Sequence, residues 1–224
     1  MSYPINYPTP QNANVQIFYG SQSGSANDGS ITQDWVKPQG ASFVWFTLIG
    51  AGGNGDGAGT GGGSGSITNF MCPAFLIPDR LTVYVGESFN GSNTQIVYQE
   101  KDTGGYQLLA ALTGNTTTGG SAVGQNAFAA MGFYQSIAGQ NGGSTVAASG
   151  TTFLSGGGTS AGTSTSNYGY SSGPVGVGTN RGGFFQFQPI IVSTGGFGTL
   201  NGGVGSGGGE NGKGGNGLVV IITW

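Results

Sequence analysis

Short apolar runs separated by stretches rich in glycine, serine and proline are the dominant pattern along the chain. Runs of about four to eight residues that contain Val, Ile, Phe, Tyr and Trp and are bounded by turn residues predict β-strands. The strand candidates are residues 15–19, 31–36, 42–49, 66–71, 81–85, 95–100, 106–112, 184–193 and 218–224. Residues 122–137 are the one stretch with helical potential, which Gly124 and Gly132 weaken. Because no apolar repeat of about 3.6 residues is sustained, the sequence predicts an all-β fold.

Two of these runs show too little polar alternation for strands with one exposed face. Residues 42–49 and 218–224 are almost continuously apolar. Strands that are buried on both faces have this pattern. We therefore place residues 42–49 at the centre of a β-sandwich and expect residues 218–224 to be buried on both faces. We expect one core between its two sheets, formed by Phe43, Trp45, Phe46, Leu48, Leu81, Val83, Val85, Val219 and Ile221.

Two glycine tracts, residues 53–65 and 195–217, join strands that we expect to be buried, in a chain with 50 glycines. Flexible linkers are the ordinary interpretation of such tracts. A glycine-rich chain can also form an extended helix with three residues per turn, and several such helices can pack closely because they lack side chains. Gly202, Gly205 and Gly208 keep a three-residue spacing. We therefore favour packed polyglycine helices over linkers.

Four segments around these tracts carry a resemblance to known families. They are residues 35–40, 43–53, 81–86 and 214–224. Together they resemble the glycine-rich domains of phage tail-fibre and other viral structural proteins, many of them environmental. More distantly, they are similar to the glycine-rich ectodomain region of the anaplastic lymphoma and leukocyte tyrosine kinase receptors. The resemblance covers roughly residues 30–224. It implies a TNF-like or jelly-roll β-sandwich that carries polyglycine helices, with a trimer as the first expectation for the oligomer.

The composition excludes several classes of function. Charged residues are 6% of the chain and the five basic ones are scattered, so no basic stripe indicates nucleic-acid binding. With one cysteine, Cys72, and no histidine, the chain can form neither an intrachain disulfide nor a zinc site of the usual ligands. The receptor relatives bear disulfides, so this absence favours the viral branch. A surface with so few charges suits a protein that is covered by its neighbours.

No targeting segment is predicted. Residues 1–8 lack the basic and apolar regions of a signal peptide, and no apolar run reaches the length of a membrane span. A composition of extracellular type without a secretion signal is typical of virion proteins, which are released by lysis of the host cell. A processed precursor would have the same features. We therefore expect a virion or extracellular location.

The motifs that could carry chemistry lack their required context. Residues 50–55 match G-x-G-x-x-G after a strand, but residues 56–66 are too rich in glycine to form the helix that would meet a pyrophosphate. Glu100 and Asp102 flank a lysine in an expected hairpin turn, where solvated carboxylates are ordinary. Cys72 has no histidine to activate it. We expect neither a cofactor nor a catalytic site, and hence no enzymatic activity.

Two groups of residues are candidates for contacts with partners. Residues 1–14 contain three prolines and are expected to form an extended arm ahead of a domain at 15–224. The apolar side chains of this arm need a surface elsewhere, which makes it a candidate inter-subunit arm through Tyr3, Ile5 and Tyr7. Tyr168 and Tyr170 lie in a polar low-complexity stretch and could contact a ligand or a subunit, or pack on the edge of their own domain.

Three functions remain open. The first is a non-enzymatic structural protein of a virus particle, as a fibre, tail-tip, surface or coat component that assembles as a trimer or larger array. The second is an adhesin module that binds a receptor or a host-surface glycan. The third is a subunit of a cellular extracellular filament or surface layer. The expected partners are copies of the chain itself and other virion proteins.

Overall fold

The computed structural model describes residues 13–20, 32–55, 61–88, 91–100, 104–139, 141, 175–176, 181–182, 204–208 and 211–224. The predicted arm residues Tyr3, Ile5 and Tyr7 lie outside these ranges. So do Tyr168 and Tyr170, the predicted strand at 184–193, and the first part of the second glycine tract. The predictions made for those residues stay predictions.

The described residues form β-strands and two short 3₁₀ turns. In chain order the strands are β1 (Asn14–Tyr19), β2 (Thr32–Val36), β3 (Phe43–Ile49), β4 (Ile67–Pro73), β5 (Arg80–Tyr84), β6 (Thr94–Glu100), β7 (Gly104–Ala111), β8 (Phe133–Ile137), β9 (Val175–Gly176), β10 (Arg181–Gly182) and β11 (Leu218–Thr223). The 3₁₀ turns span Ala74–Leu76 and Ala129–Met131. The predicted all-β fold is confirmed.

Nine of these strands form two antiparallel sheets. The five-stranded sheet has the order β1-β11-β3-β4-β8, and the four-stranded sheet has the order β2-β5-β6-β7; β9 and β10 pair with each other. As predicted, β3 lies at the centre of its sheet, and β6 and β7 form a hairpin. β11 lies between β1 and β3, inside the same sheet. The two sheets are compatible with a β-sandwich. The connections do not confirm a jelly roll, because β3 and β4, which are consecutive in the chain, are adjacent in the same sheet. The jelly roll therefore stays a prediction.

One hydrophobic core joins the two sheets. Trp35 of the four-stranded sheet packs edge-on against Phe46 of the five-stranded sheet, with ring centroids 6.0 Å apart, and both side chains are fully buried. Seven of the nine predicted core residues belong to this core: Phe46, Leu48, Leu81, Val83, Val85, Val219 and Ile221.

Two of the predicted core residues were placed on the wrong face. Successive side chains of a strand point to opposite faces, and Val44, Phe46 and Leu48 fill the core. Phe43 and Trp45 therefore lie on the opposite face, where Phe43 is 39% exposed and Trp45 is buried outside the main core.

The helix considered for residues 122–137 is not present. The chain forms one 3₁₀ turn and then β8, which pairs with β4. The Asn126 side chain accepts a hydrogen bond from the Ala129 amide and donates one to the Leu108 carbonyl, which fixes a turn. Gly132 follows close to the β4 backbone, where a Cβ would lie 2.2 Å from the Met71 oxygen. This contact favours strand pairing over a helix.

The described parts of the two glycine tracts are packed and hydrogen-bonded, as predicted. They form, with a segment after β7, what we call the glycine lattice: residues 50–55, 61–66, 112–120, 204–208 and 212–217. Residues three apart on one segment donate to the same neighbouring segment. The donor and acceptor pairs are Gly50–Ser66 and Gly53–Gly63, Gly52–Gly215 and Gly55–Gly212, Gly62–Gly208 and Gly65–Gly205, and Gly63–Asn115 and Ser66–Leu112, at 2.8–2.9 Å.

This three-residue repeat is the one expected of extended chains with three residues per turn. Such a chain presents its amides in three directions, so each segment can bond to several neighbours. The approach of the backbones is too close for a side chain: a Cβ at Gly53 would lie 2.0 Å from the Asn115 oxygen. Glycine is therefore a packing requirement in the lattice.

Candidate functional site

The most prominent exposed feature of the described residues is an apolar strip on the outer face of the five-stranded sheet, the face turned away from the core. Strand register places one row of side chains across all five strands, and a second row lies at the end of that face. We call these residues the aromatic strip: Val15, Ile222, Trp45, Met71 and Phe133 in the first row, and Trp224, Phe43 and Pro73 in the second.

Ring stacking organises the aromatic strip. Phe43 and Trp224 stack with centroids 5.9 Å apart, and Trp45 and Phe133 stack at 6.3 Å. The Phe43 and Trp224 backbones hydrogen-bond to each other, which fixes the last residue of the chain beside β3. Phe133 is 55% exposed and Val15 is 47% exposed. None of the strip side chains carries a charge, so the strip is a surface suited to an apolar partner.

The centre of the outer face, between the strip and the lattice, is buried at Thr47, Asn69 and the residues of a second apolar cluster. Behind the strip, the Trp45 Nε1 donates to Thr47 Oγ1, and the Thr47 hydroxyl donates to Asn69 Oδ1, each at 2.9 Å. These polar groups are satisfied by one another. Further along, the second apolar cluster consists of Ile49, Ile67, Leu218 and Val220, against which Ile17, Val204 and Ile222 pack.

The aromatic strip and the glycine lattice lie at opposite ends of the five-stranded sheet. β3 begins at the strip with Phe43 and continues past Ile49 into the lattice at Gly50. β11 runs the other way, from the lattice to Trp224. The strip is therefore not part of the lattice surface.

The G-x-G-x-x-G motif at residues 50–55 is a part of the lattice. Its four glycine amides, those of Gly50, Gly52, Gly53 and Gly55, all donate to backbone carbonyls of neighbouring segments. A dinucleotide site would need such amides to face the pyrophosphate at the start of a helix. These amides already donate hydrogen bonds within the fold, so the motif contributes to the packing of the lattice.

Burial keeps Cys72 in its thiol form. The side chain is 2% exposed in the main core, and desolvation raises the pKa of the thiol to about 11. Because the thiolate is the reactive form, the buried thiol of Cys72 is unreactive at neutral pH. Cys72 therefore serves as a core side chain. Among the described residues, no group of three or more His, Cys, Asp or Glu side chains could hold a metal ion. No helix in the described ranges is long and apolar enough to cross a membrane.

The sequence did not reveal the aromatic strip. Phe43 and Trp45 were assigned to the core, and Phe133 fell in the stretch considered for a helix. The available signal was the alternation of side chains along a strand, which places Ile222 and Trp224 on one face and Ile221 and Thr223 on the other. This alternation alone does not say which face is covered. The predicted contact residues Tyr168, Tyr170, Tyr3, Ile5 and Tyr7 all lie outside the described part of the chain.

The described structure thus defines an all-β protein with two antiparallel sheets, a packed glycine lattice and an exposed aromatic strip. Comparison with protein-family models and with curated proteins finds no match for this chain. Its function is therefore argued from its composition and from the geometry of these features.

Proposed function

We propose that this chain is a non-enzymatic structural subunit of a virus particle that assembles with copies of itself. The aromatic strip is the observation that carries the proposal, because it presents uncharged aromatic rings on the face of a sheet. Apolar surface gains free energy when another surface covers it. The resemblance to viral glycine-rich domains points to a fibre, tail-tip, surface or coat component.

The distribution of charge supports self-association. Two ion pairs, Lys37–Asp79 and Arg80–Asp34, lie on or beside the four-stranded sheet, and none of these four residues belongs to the aromatic strip. The net charge of the whole chain is only −3. Two copies that approach through the strip therefore meet little electrostatic repulsion.

The size of the strip shows what else an assembly requires. Phe43 and Phe133 are 39% and 55% exposed. With about 200 Å² per aromatic side chain, the two rings leave about 190 Å² open. A stable interface takes about 800 Å² from each partner. The strip can therefore anchor a contact, but a lasting assembly needs a second contact.

Electron microscopy and light scattering on the purified chain test the proposal. We expect trimers or larger arrays at micromolar concentration, and weaker association for Phe133→Ser. Tyr106→Ser is the matched control, since Tyr106 is 53% exposed but lies on β7 of the other sheet. A monomeric wild-type chain would refute the proposal. A monomer that binds glycans through the strip would favour the adhesin function.

A further inference from the structure

The outer edge of β1 is open among the described strands. β1 is at the end of the five-stranded sheet and pairs only with β11 there. An antiparallel strand directs half of its backbone groups to each side, so half of the amides and carbonyls of residues 14–19 point away from β11. One side-chain contact lies at the end of this edge: Gln33 Nε2 donates to the Tyr19 carbonyl at 3.0 Å. The carbonyl oxygen has a second lone pair and can also accept a backbone amide.

The three other edge strands of the five- and four-stranded sheets carry features that discourage pairing. β2 contains Asp34, which pairs with Arg80. β7 begins with two glycines and has an irregular register with β6 at Ile96 and Val97. β8 has a loop beside it, in which Val123 bonds to side chains of that strand. Charges, bulges and covering loops are the usual protections of sheet edges.

Among the residues that the structure describes, none gives β1 these protections. Its six residues contain no charge, no proline and no glycine. Phe18 enters the main core, so Val15, Ile17 and Tyr19 lie on the outer face. Ile17 packs against the second apolar cluster, while Val15 and Tyr19 are 47% and 45% exposed. The two exposed side chains therefore flank Ile17 symmetrically on one face.

This arrangement is self-complementary. In an antiparallel pair of two β1 strands with a two-fold axis at Ile17, each Val15 lies opposite the Tyr19 of the second copy. Cross-strand pairs of a β-branched and an aromatic residue are stabilising, and an isologous contact of this kind forms closed dimers. Any other register leaves one of the exposed side chains without an apolar neighbour across the strands.

We propose that β1 pairs antiparallel with β1 of a second copy of this chain, with Ile17 on the two-fold axis. This inference rests on the proposed function and concerns its larger arrays, because a two-fold contact does not fit a closed trimer. In such an array it supplies the second contact that the aromatic strip requires. The backbone edge provides hydrogen bonds, and the Val15–Tyr19 pairs set the register. The two five-stranded sheets become one continuous ten-stranded sheet.

Cross-linking tests the register on the full-length chain. Opposite residues of an antiparallel pair have Cα atoms about 4.5–5.5 Å apart, which is within the range of a disulfide. Ile17→Cys should therefore give a disulfide-linked dimer in oxidised glutathione. Val15→Cys is the control, because two copies of residue 15 would be about 14 Å apart. The native Cys72 does not compete, since it is buried.

Charged substitutions at Val15 and Tyr19 test the same register without a covalent bond. The double variant Val15→Lys with Tyr19→Lys places lysine opposite lysine twice, and we expect its dissociation constant to rise about tenfold. Val15→Lys with Tyr19→Glu places opposite charges together and should restore association, less so at high salt. Val36→Lys, on the edge strand β2, should have no effect. Sedimentation measures all four chains, and melting curves confirm that each is folded.

The outcomes separate this inference from the proposed function. A wild-type chain that is monomeric at high concentration overturns both. An oligomer without the Ile17→Cys cross-link, or with equal association of the two charge variants, overturns the β1 pairing alone. In that case the edge is covered by something else, such as residues 1–12 of the same chain. A cross-link at Ile17 together with restored association in the Lys–Glu variant supports the pairing.

Discussion

The substitution Gly65→Ala tests whether the glycine lattice is a close-packed structure. The added Cβ would lie 2.1 Å from the Gly50 oxygen and 2.3 Å from its carbon, where ordinary contact begins at 3.4 Å. Hydrogen bonds hold both segments in place, since Gly65 donates to the Gly205 carbonyl and Gly50 donates to the Ser66 carbonyl. The methyl group can therefore fit only if the segments separate and at least these two bonds lengthen or break.

The free-energy change follows from three contributions. Overpacking of a tight interior costs about 1–3 kcal/mol. Two lost hydrogen bonds cost about 1 kcal/mol each. Alanine also restricts the unfolded chain, which offsets about 0.4–1 kcal/mol. The net destabilisation is about 3 kcal/mol, and the melting temperature of a chain of this size should fall by about 6–12 °C.

Urea unfolding of Gly65→Ala and Gly124→Ala provides the comparison. Gly124 is exposed, and a Cβ there meets no atom within 4 Å, so the same chemical change should leave stability unchanged or slightly higher. The unfolding midpoint should fall for Gly65→Ala without a change in the m-value. If the two variants unfold with free energies within about 0.5 kcal/mol of each other, the lattice is too loose for this argument.

Two further predictions concern the two faces of the five-stranded sheet. Burial raises the pKa of Cys72 from 9.0 to about 11, so the folded protein holds the thiol proton more tightly than the unfolded chain. The resulting stabilisation is present below pH 9 and is lost as the pH rises through 11. In urea titrations at several pH values, Cys72→Ala should therefore lose less stability than the wild type over this range. On the outer face, Thr47→Val removes the acceptor of the Trp45 Nε1 hydrogen bond and the donor to Asn69 Oδ1. The free energy of unfolding should fall by about 1–3 kcal/mol. A decrease below about 0.5 kcal/mol, measured by calorimetry, would contradict this interpretation.

The strands were predictable because their apolar runs are local in the sequence. The run at residues 218–224 indicated a strand buried on both faces, and β11 has Val219 and Ile221 in the main core with Leu218 and Val220 in the second cluster. The same property concealed the strip. A run that is apolar at every position contains no information about which face meets the other sheet, so Phe43 and Trp45 were assigned to the wrong side.

The partners of the glycine tracts were less predictable than the tracts themselves. The three-residue spacing of glycines indicated packing, but the segment at residues 112–120 is not a glycine tract and was not expected in the lattice. It contributes mainly through its backbone: the Leu112 and Asn115 carbonyls accept bonds from Ser66 and Gly63. Any residue type can supply a carbonyl, so composition does not identify the acceptor side of such a contact.

The energetics of glycine explain why the lattice is attached to a sandwich. Ordering the backbone costs about 1–2 kcal/mol for each residue, and most for glycine, while each hydrogen bond returns about 1 kcal/mol. A lattice of this kind is therefore not stable alone. Here its segments continue directly from buried strands, at Ile49, Ile67, Ala111 and Leu218.

Side chains and backbone also tie the junctions between strands and lattice. The Thr94 hydroxyl donates to the Ile49 carbonyl at 2.7 Å, and the Gly217 amide donates to the Gly86 carbonyl at 2.8 Å. Fixed ends reduce the conformations that each segment loses on ordering, so the apolar core supplies the stability that the lattice lacks. In each subunit the lattice lies at the end of the five-stranded sheet opposite to the subunit's own aromatic strip.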